Sequence, residues 1–204
     1  MLQRRSLLGA AWGAGLGAGL GAGLWVEVAA RAVQPPAADL IRAGGVVVAF
    51  RHAHAPGTYD PPGFVLGDCR TQRNLSDAGR AQAQRIGQWF QSQSLVPSQA
   101  RSSPWCRCID TARLAFGSAQ VWQALGSPVG SVESTNEAHL RELRQALAAA
   151  SRRAGSFEVW VTHMFVLSPL TGVDAASGEG LVLRADAAGA PQVLARLAPP
   201  ASAP

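Results

Sequence analysis

Two histidines and two arginines stand where phosphoryl chemistry could use them. An apolar run over residues 45–50 ends directly at Arg51 and His52, and a second over residues 157–162 ends at His163. Both runs are short and rich in β-branched residues, the pattern of buried strands. Reactive groups in open α/β sheets collect beyond the carboxyl ends of strands, so the two histidines are expected to meet there. A neutral imidazole can attack phosphorus once something fixes the phosphoryl oxygens and offsets their charge. Arg51 adjoins His52. Arg107 lies early in a helix expected from Pro104 through Phe116, where its guanidinium and the helix N-terminus could both face an anion.

The elements that must position these groups alternate along the chain. A strand over 45–50 is followed by a long segment, residues 51–75, that carries three prolines and three glycines and is too long to be an idle connector. Ser76 then caps a helix running to about Ser94, with Ile86, Trp89 and Phe90 on its apolar face. A second strand is expected at 99–102. Residues 136–152 form a helix with Leu140, Leu143 and Leu147 on one face, followed by the strand 157–162. A short helix at 166–171 and late strands at 180–184 and 192–197 complete an α/β domain with a largely parallel sheet.

Composition narrows the chemistry. All 18 basic residues of the 204 are arginine, against 13 acidic residues, for a formal net charge of +5. Without lysine there is no Schiff-base or lysine-nucleophile chemistry and no Walker-type phosphate loop. Hydrophobic residues make up 48% and charged residues only 15%, which supports a sizeable core and excludes global disorder.

Residues 1–32 have the layout of an export signal: Arg4 and Arg5, an uncharged Gly-Ala-Leu stretch, and an A-x-A-like site at Ala30, Arg31 and Ala32. The paired arginines before Ser6, Leu7 and Leu8 favour the twin-arginine type over the general secretory route, and the signal is expected to be cleaved, giving a periplasmic or secreted protein. Its removal lowers the net charge to +3 and leaves no basic run with interleaved aromatics, so no nucleic-acid surface and no stable membrane span are expected. Residues 33–198 then form one domain and 199–204 a frayed tail.

At this point the sequence resembles the histidine phosphatase (phosphoglycerate mutase-like) superfamily. Arg51, His52 and Ala53 resemble its Arg-His-Gly signature. Leu75, Ser76, Gly79, Gln82 and Ala83 share the spacing of its next helix. Ser103, Pro104, Arg107, Thr111 and Ala112 resemble the segment with its second arginine, and Thr162 and His163 its late strand. The resemblance implies a three-layer α/β/α fold with a mostly parallel central sheet. It also implies hydrolysis of a small phosphorylated substrate without metal or other cofactor. His52 would be the nucleophile that forms a phosphohistidine, with Arg51, Arg107 and His163 around the phosphate.

Family members supply a general acid from the segment between the second arginine and the second histidine. Glu137 is the choice here, with Glu133 and Glu179 as other candidates. Ala53 in place of glycine, Met164 after His163 and the unassigned acid motivate a rival reading, a phosphate-binding pseudophosphatase without turnover.

His52 with His54, and Cys106 with Cys108, could suggest a metal, but the spacing fits no common zinc framework and Arg107 between the cysteines opposes a cation. In an exported protein Cys69 is instead expected to form a disulfide with Cys106 or Cys108, leaving one thiol free. Neither Cys106 nor Cys108 has the arginine that a Cys-x5-Arg phosphatase loop needs. Oligomeric state is left open.

Overall fold

Why the two histidines meet follows from the pairing of two strands. The computed structural model describes residues 36–128 and 137–198. The export segment 1–32, Glu133 and the tail 199–204 lie outside the described residues. Strand β1 (Val46–Arg51) lies parallel to β4 (Phe157–Thr162) with Arg51 opposite Thr162, so His52 and His163 leave the sheet at the same level. Both strands are buried along almost their whole length, which is why they read as continuous apolar runs.

Alternate residues of β1 feed two cores. Val46, Val48 and Phe50 face Ile41 of α1 (Ala37–Ala43), Ile86 and Phe90 of α2 (Asp77–Ser92) and Ala112 of α3 (Cys106–Phe116). Val47 and Ala49 face Leu140, Leu143 and Leu147 of α4 (Glu137–Ser151) and Leu167 of α5 (Met164–Thr171). The period-2 alternation of one strand thus builds the three α/β/α layers.

Strands β2 (Gln99–Ser102), β3 (Gln120–Val121), β5 (Gly180–Ala185) and β6 (Pro191–Leu197) complete the sheet in the order β3-β2-β4-β1-β5-β6. The four strands β3-β2-β4-β1 are parallel, in keeping with a largely parallel sheet, whereas β5 pairs antiparallel with β1 and β6 antiparallel with β5. The reversal at β6 is a hairpin whose turn is held by Asp186, which accepts from the backbone N–H groups of Ala188 and Ala190.

Four local features differ from the sequence expectations. Helix α1 and the two-residue strand β3 carry too little periodicity to be foreseen. Helix α3 begins at Cys106 rather than Pro104, because Ser103 still follows the sheet, its N–H bonded to Val161 O at 2.9 Å. Helix α5 starts at Met164, directly after His163. No described helix is long and apolar enough to cross a membrane.

Candidate active site

Helix α2 is pressed against the turn after β1. Ser76 caps it by accepting from the Gly79 N–H at 3.1 Å. A Cβ on Gly79 would lie 2.0 Å from the carbonyl oxygen of His54, so only glycine allows this approach. Gln82 accepts from the His54 N–H and donates to Ser177 O, and Thr111 of α3 accepts from the Ala53 N–H at 3.1 Å. These bonds account for the motif positions around the signature. Ala53 fits there fully buried.

The rings of His52 and His163 lie edge to face with centroids 5.5 Å apart, both nearly sealed from solvent. His52 Nδ1 is 2.8 Å from the Ala53 carbonyl oxygen, which can only accept, so Nδ1 carries the proton and Nε2 keeps a free lone pair. Arg107 approaches His163 Nδ1 at 3.4 Å, and Ser103 Oγ lies 2.7 Å from Nε2, so the Nε2 proton is donated to Ser103. Burial and the nearby guanidiniums of Arg107, Arg73 and Arg51 push His52 down to about 3. Burial, then Arg107, holds His163 well below its ordinary value. Both are neutral at physiological pH.

A cavity of about 60 Å³ opens between them, lined by Arg51, Arg73, Arg107, His52 and His163 together with Gly57, Thr58, Met164 and Phe165. This is far below the roughly 300 to 1,000 Å³ of a drug-sized ligand site, and it suits a single anionic group. The Nε groups of Arg51, Arg73 and Arg107 are all buried without a hydrogen-bond partner among the described residues. Three arginine side chains lining one small cavity give it the character of an anion receptor. Helix α5 starts at this cavity, adding its positive end. A larger apolar groove of about 180 Å³ along α2 and β6, lined by Trp89, Phe90 and Leu197 among others, offers no comparable cluster of catalytic groups.

Arg73 escaped sequence reasoning because it lies in the aperiodic long loop. Its NH1 donates to Gly57 O at 2.8 Å and also to Ala55 O, which folds the loop back over the cavity. Asp60, from the same loop, is buried against Arg107 at 2.9 Å. The loop is tied to α3 by a disulfide between Cys69 and Cys106, beside Arg107, and by the Cys106 N–H donating to Gln72. Of the two open pairings, Cys106 is therefore the partner, and Cys108 is a buried free thiol that burial pushes up to about 12.

Glu137 is exposed at the start of α4 and does not line the cavity. Glu179 is held below the usual carboxylate range by its bond to Arg196 and is spoken for by that arginine and the Ala176 N–H. Among the described residues no carboxylate lines the cavity and no group of three metal-ligating side chains forms. Met164 does not block the site; its sulfur lies 3.8 Å from Arg51 NH1.

Two expected results follow from this construction. The disulfide closes a loop with a sequence separation of 37. Cys69→Ser should therefore lower stability by up to roughly 4 kcal/mol in urea unfolding. An unchanged midpoint would show that the loop is held without the bridge. For pH, both histidines have folded pKa values below the unfolded value of about 6.5. Between those values the unfolded chain binds protons that the native chain refuses, so acid favours unfolding. Stability should fall below pH 6.5 by about 1.4 kcal/mol per pH unit for each histidine, for His52 down to about pH 3. Urea midpoints that stay level between pH 7 and 5 would contradict this.

The fold is a three-layer α/β domain with an arginine- and histidine-lined cavity at its parallel strand ends, and comparison with known proteins supplies the family. A family model described as the histidine phosphatase superfamily (branch 1) matches residues 50–160, more than half of the chain. The chain belongs to the histidine phosphatase superfamily and is a phosphatase enzyme of that class. A search of curated proteins returns no match.

Solved structures share the fold. The protein histidine phosphatase SixA complexed with tungstate is 15% identical, with 76% of this chain and 97% of that chain covered and a TM-score of 0.51. A phosphoserine phosphatase from Entamoeba histolytica in complex with 3-phosphoglyceric acid is 12% identical, covering 74% and 95%, with a TM-score of 0.51. The product of open reading frame Rv3214 from Mycobacterium tuberculosis is 17% identical, covering 72% and 94%, with a TM-score of 0.50.

Proposed function

We propose that this protein is a metal-independent phosphomonoester hydrolase that works through a phosphohistidine on His52. The observation that carries the reading is the free Nε2 lone pair of His52 at a cavity lined by three arginines, Arg107 buried and Arg51 and Arg73 half-buried. In the first step Nε2 attacks phosphorus, the ester P–O bond breaks with its electron pair leaving on the alcohol oxygen, and the phosphoryl group is held by Arg51, Arg73 and Arg107. Such a loose transition state needs mainly positioning and positive charge. A bound dianion favours protonation of His163, which then donates to a phosphoryl oxygen. Water attacks the phosphohistidine in the second step, releasing phosphate and restoring Nε2.

The cavity admits little beyond the phosphoryl group, so the rest of the substrate extends outside it. We keep Glu137 in the proposal as the acid for poor leaving groups, where Glu137→Gln would slow alkyl phosphates and leave an aryl phosphate unchanged. Export to the periplasm or beyond is also proposed for the full chain. The Cys69–Cys106 bridge supports it, since disulfides persist in oxidising compartments, and a cytoplasmic protein retaining Met1 would contradict it.

The test is hydrolysis of an activated aryl phosphate in the presence of a chelator. Turnover that survives chelation supports the reading. Tight phosphate binding with no hydrolysis between pH 4 and 8 would select the pseudophosphatase reading instead.

A further inference from the structure

Asp60 stands in the long loop just before Pro61 and Pro62, where neither periodicity nor motif singles it out. Its side chain is only 8% exposed. Oδ1 accepts from the Arg73 backbone N–H and from Arg107 NH1, both at 2.9 Å. Oδ2 accepts from Trp105 Nε1 and from Arg107 NH1, both at 3.1 Å. Both carboxylate oxygens are doubly engaged as acceptors, and the group forms an ion pair with Arg107 at 2.9 Å.

What it does is set charge. With both histidines neutral, the charged lining of the cavity is Arg51, Arg73 and Arg107. Asp60 cancels one of these three positive charges from behind and leaves +2. Asp174 also acts on Arg51, but it is exposed and screened by water. A phosphomonoester group carries about −1.5 to −2 at neutral pH, as does much of the released phosphate. Attraction felt equally by substrate and product does not raise kcat, and excess attraction slows product release.

We propose that Asp60 is a positioning residue that fixes Arg107 and limits the cavity's net charge, so that the product phosphate dissociates. This rests on the cavity being the phosphate site. A damaged site binds anions more weakly, whereas a site relieved of a negative charge binds them more tightly, so the direction of the change separates the two.

Isothermal titration with inorganic phosphate, paired with steady-state hydrolysis of an aryl phosphate, tests it on the wild-type protein, Asp60→Asn and Asp60→Glu. Asp60→Asn is expected to bind phosphate at least tenfold more tightly, with kcat and KM both lowered. Asp60→Glu, which restores the charge, is expected to move back toward wild-type affinity. A folded Asp60→Asn that binds phosphate equally or more weakly overturns the inference. If that variant does not fold, Asp60→Ser removes the same charge and is judged by the same readout. Wild-type protein that binds no phosphate would overturn the phosphatase reading itself. Wild-type binding without tightening in the neutral variants would overturn only the role of Asp60.

Discussion

Replacing His52 with alanine is expected to remove turnover, lowering kcat on an aryl phosphate on the order of 10⁴-fold or more, because the nucleophile of a covalent mechanism has no substitute. The ring is oriented by its Nδ1–H bond to Ala53 O, and burial together with the neighbouring arginines keeps it neutral. The variant retains the three guanidiniums, so phosphate binding should persist while hydrolysis disappears. Steady-state rates and phosphate titration on the same preparation check both halves. A variant that keeps a tenth or more of the wild-type rate would place the nucleophile elsewhere.

The second large effect is expected at Arg107, whose removal acts on chemistry and on stability together. Its guanidinium reaches His163 on one side and Asp60 on the other, and its Nε is unpaired in the cavity wall. Losing one well-placed donor to a developing oxyanion lowers kcat by about 10²- to 10³-fold. Arg107→Ala also leaves Asp60 a buried charge without its cation, which destabilises by roughly 3 to 5 kcal/mol. The double variant Arg107→Ala with Asp60→Asn separates the two effects: urea stability should recover much of the loss, and kcat should not. Recovery of both would mean that Arg107 serves only the fold.

How much of this was legible beforehand depended on whether a residue belongs to a periodic element. Arg51, His52 and His163 end apolar strands, and strands of that kind pair in the middle of the sheet, so their meeting could be inferred without coordinates. Arg107 was legible because it falls in the first turn of a helix with a clear apolar face. Arg73 and Asp60 were not. They sit in a loop with three prolines and three glycines, and their positions depend on bonds to Gly57 O, Trp105 and Arg107 and on the Cys69–Cys106 bridge. The antiparallel direction of β5 escaped for a related reason. An apolar run such as residues 180–184 has the same alternation in either direction, and only its connection through α5 decides which way it enters.

The general acid marks the other limit. Glu137 and Glu179 lie on an ordered element or beside one, yet Glu137 is exposed and does not line the cavity and Glu179 is held by Arg196. A carboxylate's role depends on what it faces, and helical spacing alone does not reveal that.

A covalent phosphohistidine on His52 can be trapped chemically. Protein mixed with excess aryl phosphate would be stopped within its first turnovers by denaturant at alkaline pH, which preserves a phosphorus–nitrogen bond, and then digested and mapped by mass spectrometry. A phosphoryl adduct is expected on the peptide carrying His52, absent from His52→Ala. Turnover by the wild-type protein with no adduct, or an adduct that persists when His52 is gone, would contradict a phosphohistidine on His52.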